Sequence, residues 1–99
     1  MDTNEINKTK VAIVTGSSSG IGFETSLLLA RNGFFTYATM RNPDKSNKID
    51  ELKQKERLPL EVLKLDVMDN KSVNEAIEKV ANEQGRIDVL VNNAGYALV

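Results

Sequence analysis

The feature that most constrains the fold is the abrupt change of character across residues 11–22. Val11-Ala12-Ile13-Val14 is a continuous apolar run rich in β-branched residues, and Thr15-Gly16-Ser17-Ser18-Ser19-Gly20-Ile21-Gly22 follows it without a spacer. A run that does not alternate reads as a strand covered on both faces, which belongs in a parallel sheet. The stretch after the glycines, with Leu27, Leu28 and Leu29, reads as a helix to about Asn32, and Gly33 stands where a left-handed residue would stop it. A strand that turns through glycines into a helix offers unpaired N–H groups and the positive end of a helix dipole. Anions bind well at such a place, and glycines let a phosphate approach the backbone with no Cβ in the way. Ser17, Ser18 and Ser19 add hydroxyl donors. The spacing is Gly-x-x-x-Gly-x-Gly, not the tighter Gly-x-Gly-x-x-Gly, and no Lys follows Gly22 as a P-loop would require. The plainer alternative is a tight turn that binds nothing.

The rest of the chain repeats the strand–helix alternation. Phe34 to Met40 is aromatic and β-branched and reads as a second strand, broken by Asn42-Pro43. A polar surface helix is expected from about Lys45 to Arg57, with Ile49 and Leu52 as its apolar stripe and Pro59 closing it. Leu60 to Val67 reads as a third strand. Val73, Ala76, Ile77, Val80 and Ala81 fall at i, i+3, i+4, i+7 and i+8, one face of an amphipathic helix that Asp69 would cap and Gly85 would stop. Ile87 to Val91 reads as a fourth strand, with Asn92-Asn93-Ala94-Gly95 after it. Such alternation implies right-handed crossovers and a parallel sheet with helices on both faces. Residues 1–10 are expected to be a polar tail ahead of one α/β domain.

Composition narrows the chemistry. Thirteen basic side chains nearly balance fourteen acidic ones, so no net field draws the chain to nucleic acid or an anionic membrane. With no Cys and no His, there are no disulfides, thiolate nucleophiles, Cys/His zinc sites or imidazole bases. No metal site is expected. The tail lacks the apolar core of a signal peptide, and the apolar runs are too short to span a bilayer. A soluble, cytoplasmic protein is the expectation.

These residues resemble the short-chain dehydrogenase/reductase family. Thr15 to Gly22 matches the family's Thr-Gly-x-x-x-Gly-x-Gly cofactor loop, Leu65-Asp66-Val67 its adenine-contacting segment, and Asn92 to Gly95 its Asn-Asn-Ala-Gly motif. The resemblance implies a Rossmann-type, doubly wound α/β sheet, incomplete here: four parallel strands in the order 3-2-1-4 with three helices over residues 11–99. It assigns Gly16, Gly20, Ile21 and Gly22 to the pyrophosphate of a nicotinamide dinucleotide, with Thr15 bracing the loop. It assigns Asp66 and the Val67 backbone to the adenine, and Asn92, Ala94 and Gly95 to the adenosine ribose and the strand end. Asp66 also reads as a turn residue ahead of a helix, and Asn92 and Asn93 as turn formers.

Rossmann-type sites choose their cofactor at the end of the second strand, where a carboxylate binds the 2′-hydroxyl of NAD and an Arg accommodates the 2′-phosphate of NADP. Met40 occupies the carboxylate position and Arg41 follows it. NADP is therefore expected over NAD, resting mainly on Arg41, because many NADP-using members also carry a basic residue where this chain has Ser19. A solvent-facing Arg41 is the alternative.

The family's catalytic Ser, Tyr and Lys are expected beyond this chain, so no catalytic residue is assigned. Tyr37 is followed four residues later by Arg41 and Tyr96 by nothing, so no Tyr-x-x-x-Lys occurs. The expectation is an N-terminal, NADP(H)-binding part of an oxidoreductase that moves hydride between nicotinamide and an alcohol or carbonyl substrate. The chain alone is expected to be inactive and marginally stable, and its parent homo-oligomeric. A non-catalytic nucleotide-binding module, or a structural piece that completes its sheet with another chain, are the competing readings.

Overall fold

The computed structural model describes residues 9–93. In chain order these form β1 (Val11–Val14), α1 (Gly20–Arg31), β2 (Phe35–Met40), a 3₁₀ turn (Pro43–Lys45), α2 (Asn47–Glu56), β3 (Leu60–Lys64), α3 (Asn70–Gln84) and β4 (Val89–Val91). The strands make one sheet in the order β3-β2-β1-β4, and every pairing is parallel. This is the α/β doubly wound arrangement expected from the alternation of elements.

Burial explains why the first run does not alternate. Val11, Ala12, Ile13 and Val14 are all 1% exposed or less, because β1 is central and both its faces are covered. Val11, Ile13 and Val14 each contribute roughly 1.5–3 kcal/mol by leaving water. On one face Leu27 and Ala30 of α1 and Ile49 of α2 pack with Ala38, Met40 and Leu60. On the other, Val80 of α3 packs with Val11, Ile13 and Tyr37. Alternate residues of β2 feed the two faces, as the pleat requires.

The element boundaries differ from the sequence expectations for identifiable reasons. The second strand starts at Phe35, because the Phe34 N–H still donates to Leu29 O of the preceding helix. The second helix starts at Asn47 after the separate 3₁₀ turn, whose start the Asn42 side chain caps. It is not merely a surface helix, since Ile49 is 1% exposed. It ends at Arg57 in a left-handed conformation (φ 55°), before Pro59 can act. The third strand ends at Lys64 rather than Val67: Leu65 N–H still reaches Met40 O, and then the Asp66 carboxylate draws the chain into a turn. The fourth strand starts at Val89 rather than Ile87. Ahead of it, the Asp88 carboxylate accepts the Val11 N–H at 2.8 Å and is itself paired with Arg86.

In α3 the expected stripe is partly right. Ala76 and Val80 are buried and Val73 and Ile77 half-buried, but Ala81 is exposed. Asp69 caps this helix by accepting the Lys71 N–H at 3.0 Å, and Gly33 and Gly85 take the left-handed conformations that stop α1 and α3. Among the described residues no helix is long and apolar enough to cross a membrane.

Candidate functional site

The C-terminal ends of the strands converge on the glycine loop between β1 and α1. The strand order reverses at β1, whose neighbours β2 and β4 carry the chain to opposite sides, and a crevice opens at such a switch point. Thr15 ties the two sides together. Its N–H donates to Val91 O at 2.9 Å, its hydroxyl lies 3.2 Å from Asn92 Oδ1, and the same hydroxyl accepts the Asn93 N–H at 2.8 Å.

The glycines do separate jobs. Gly16 and Gly20 have φ of 65° and 62°, which a side chain disfavours. Gly22 is needed for proximity instead. A Cβ there would lie 2.1 Å from Gly16 O and 2.7 Å from Asn93 Nδ2, so helix and loop touch backbone to backbone. Asn93 Nδ2 donates to Gly16 O across 3.4 Å and closes the loop from the β4 side.

The start of α1 is left open. Its N-cap, Ser19, makes no side-chain capping bond, and no acidic residue sits in the first turn. The first N–H groups of a helix have no partner inside it, so the start of α1 brings unpaired donors and the positive end of its dipole to the crevice that Gly20 and Ile21 line. In α3, by contrast, the Asp69 carboxylate closes the corresponding position.

The crevice is an open cleft of about 630 Å³, within the range of small-molecule sites. The glycine loop (Gly16, Ser18, Ser19, Gly20, Ile21) forms one wall, and Met40, Arg41, Leu65, Asp66, Val67 and Met68 form the other, with Asn93 between. Arg41 is exposed at the end of β2. Asp66 is both a cleft wall and a turn former: its Oδ1 accepts the Met68 N–H at 3.0 Å, and its own N–H donates to Ser72 Oγ at 2.9 Å. Both sequence readings of Asp66 thus describe the same residue.

Two assigned residues, Ser17 and Asn92, fall away from the cleft wall, and two more are not described. Ser17 is not a cleft donor. It is fully buried, its N–H donates to Thr39 O, and its hydroxyl contacts Val14 O at 2.9 Å and Ser26 Oγ at 2.9 Å. Ala94 and Gly95 lie outside the described residues, as does Tyr96. Asn92 is exposed and meets the loop through Thr15 rather than lining the cleft. Its neighbour Asn93, read only as a turn former, is the asparagine in the cleft wall. Leu65, quoted in the sequence with Asp66 and Val67, lines it as well, and Met68, 80% exposed, lines it without having been singled out. An apolar side chain held in water beside a turn is the signal that could have marked Met68.

The donor set fits a dinucleotide: bare helix N–H groups for a diphosphate, a Cβ-free approach at Gly22, and a cation and a carboxylate at the far end. Fold and cleft together define a Rossmann-type α/β protein with its ligand crevice at the switch point. The chain belongs to the short-chain dehydrogenase family, whose model matches residues 10–99. Among its relatives, the 3-oxoacyl-[acyl-carrier-protein] reductase FabG of Thermotoga maritima is 44% identical over 88 residues, covering 87% of this chain and 35% of that protein. The human 17-beta-hydroxysteroid dehydrogenase type 1 is 42% identical over 95 residues, covering 90% and 28%. An actinorhodin polyketide ketoreductase solved with NADPH superposes with a TM-score of 0.82 at 28% identity, covering 91% of this chain and 34% of that one. The chain thus spans about a third of the length of such relatives. The family is one of oxidoreductases that bind nicotinamide dinucleotides.

Proposed function

We propose that residues 11–99 are the NADP(H)-binding part of a short-chain oxidoreductase. The observation that carries this is the cleft itself, with an uncapped helix start at one end and Arg41 beside Asp66 at the other. In this reading Gly16, Gly20, Ile21 and Gly22 hold the diphosphate by main-chain N–H groups, helped by Ser18 and Ser19. Asp66 and the Val67 backbone contact the adenine. Ala94 and Gly95 line the adenosine ribose, while Asn92 holds the strand end through Thr15, which braces the loop. When bound, the nicotinamide supplies the hydride that passes to or from an alcohol or carbonyl carbon.

Arg41 sets the preference for NADP over NAD. Its guanidinium is always charged and presents a planar fork suited to a 2′-phosphate. Met40 beside it is neutral and 2% exposed, so nothing there repels a phosphate. No Tyr-x-x-x-Lys pair occurs in the sequence, so the chain binds the cofactor without turning substrate over. The whole protein would work as a cytoplasmic homo-oligomer.

The test is a titration of NADPH and NADH into the chain and into its Arg41→Ala variant. One charge-assisted bond is worth roughly 1.5–3 kcal/mol, so NADPH affinity should fall about ten- to a hundredfold while NADH affinity barely moves. An unchanged NADPH:NADH ratio would remove Arg41 from the assignment.

A further inference from the structure

Ser17 and Ser26 are both 0% exposed, and neither lines the cleft. Ser26 sits one turn into α1, and its hydroxyl donates to Gly22 O at 2.9 Å. Ser17 sits inside the glycine loop, and its hydroxyl reaches Val14 O, the last carbonyl of β1, at 2.9 Å. The two hydroxyls lie 2.9 Å apart. A continuous line of contacts thus runs from the end of β1 to the first turn of α1, directly beneath the loop.

The hydrogens can be counted. Two hydroxyl hydrogens serve three contacts: both hydroxyls can donate outward to Val14 O and Gly22 O, and the two arrangements that also put a hydrogen between them run Ser17 to Ser26 to Gly22 O, or Ser26 to Ser17 to Val14 O. Both directions satisfy both donors. The carbonyl left over is never orphaned, because Val14 O also accepts the Thr39 hydroxyl at 2.9 Å and Gly22 O lies within the helix ladder. Chained hydroxyls polarise one another and hold position better than separate pairs.

We propose that Ser17 and Ser26 are a hydroxyl strut that fixes the height of the glycine loop over the sheet. They are positioning residues for the diphosphate that never touch it, and this use of the strut rests on reading the cleft as a dinucleotide site. The loop is also held by Gly22 against Gly16, by Asn93 on Gly16 O, by the Ser17 N–H on Thr39 O and by Thr15 on the end of β4. Removing the strut leaves these anchors, so the loop loosens without collapsing.

The variants are suited to the test because neither strands a donor. In Ser26→Ala the Ser17 hydroxyl still has Val14 O; in Ser17→Ala the Ser26 hydroxyl still has Gly22 O. The full chain, both single variants and the double variant are compared in two ways. One is amide hydrogen exchange over residues 16–22 without ligand, referenced to the amides of α3. The other is affinity for NADPH and for adenosine 2′-monophosphate, which lacks the diphosphate. Each single variant should speed loop exchange and weaken NADPH about two- to tenfold, with adenosine 2′-monophosphate unchanged. The double variant should be no weaker than the worse single one, because both changes break the same line. Unchanged loop exchange, equal weakening of both nucleotides, or strictly additive losses would each overturn the strut. If the unmodified chain binds neither nucleotide, the reading of the cleft fails, and the exchange rates alone decide whether the pair holds the loop.

Discussion

At the scale of the residue, the site is a matter of distances that side chains would spoil. Gly22 is the sharpest case. Its missing Cβ would overlap the Gly16 carbonyl, which is backbone and cannot rotate away. Gly22→Ala should push α1 off the loop, destabilise the chain by about 1–3 kcal/mol, and weaken NADPH more than tenfold. Urea melts and NADPH titrations of the variant check this; wild-type affinity would show that the close approach is not needed. The need for glycine at Gly16, Gly20 and Gly22 was legible in the sequence, because a turn between a buried strand and a helix has few other solutions. The division among the serines was not legible. Three adjacent serines look alike until the fold turns Ser17 inward to Val14 O and leaves Ser18 and Ser19 at the cleft. The two asparagines differ for the same reason, since a strand end sends neighbours to opposite sides.

At the scale of the element, strands and helices are tied by polar contacts as well as apolar packing. Tyr37 of β2 buries its ring in the face covered by α3, 5.3 Å from the Phe35 ring. Its hydroxyl donates to Glu83 Oε1 at 2.8 Å and accepts from Gln84 Nε2 at 3.1 Å. Burial pushes the phenol up to about 12, and the neighbouring Glu83 carboxylate adds to the shift. Because the folded value exceeds the ordinary value of 10.0, the contribution is complete below pH 10 and is lost as pH rises through about 12. Tyr37→Phe should lower stability by about 1 kcal/mol at pH 8 and flatten that alkaline loss. Denaturant melts between pH 8 and pH 12 measure it, and an identical alkaline loss in the variant would contradict it. The existence and order of the elements were readable from period and punctuation. Their ends were not, because they depend on partners distant in sequence: Asp88 with Val11 sets the start of β4, and Phe34 with Leu29 delays β2.

At the scale of the molecule, cover is uneven. β1 and β2 are sheathed on both faces, but among the described residues β4 lies at the sheet edge with Leu90 58% exposed, and Ile87 just ahead of it is 37% exposed. An apolar edge strand with unpaired backbone groups invites pairing with another chain. The 99-residue chain should therefore self-associate as its concentration rises, and Leu90→Lys should shift it toward monomer. Sedimentation equilibrium of both decides it, and a wild-type chain that stays monomeric throughout would contradict the prediction. The open edge was foreseeable from the element count, whereas the chemistry of the cleft required knowing which strand ends meet. In the proposed function, the crevice at the β1 switch point holds a pyridine dinucleotide by the bare start of α1. An NADPH titration followed by backbone amide shifts across the whole chain tests it most directly. Saturable shifts should concentrate at residues 16–22, at Arg41 and at Asp66 to Val67. A titration in which these amides stay still, whether or not others move, would contradict the claim.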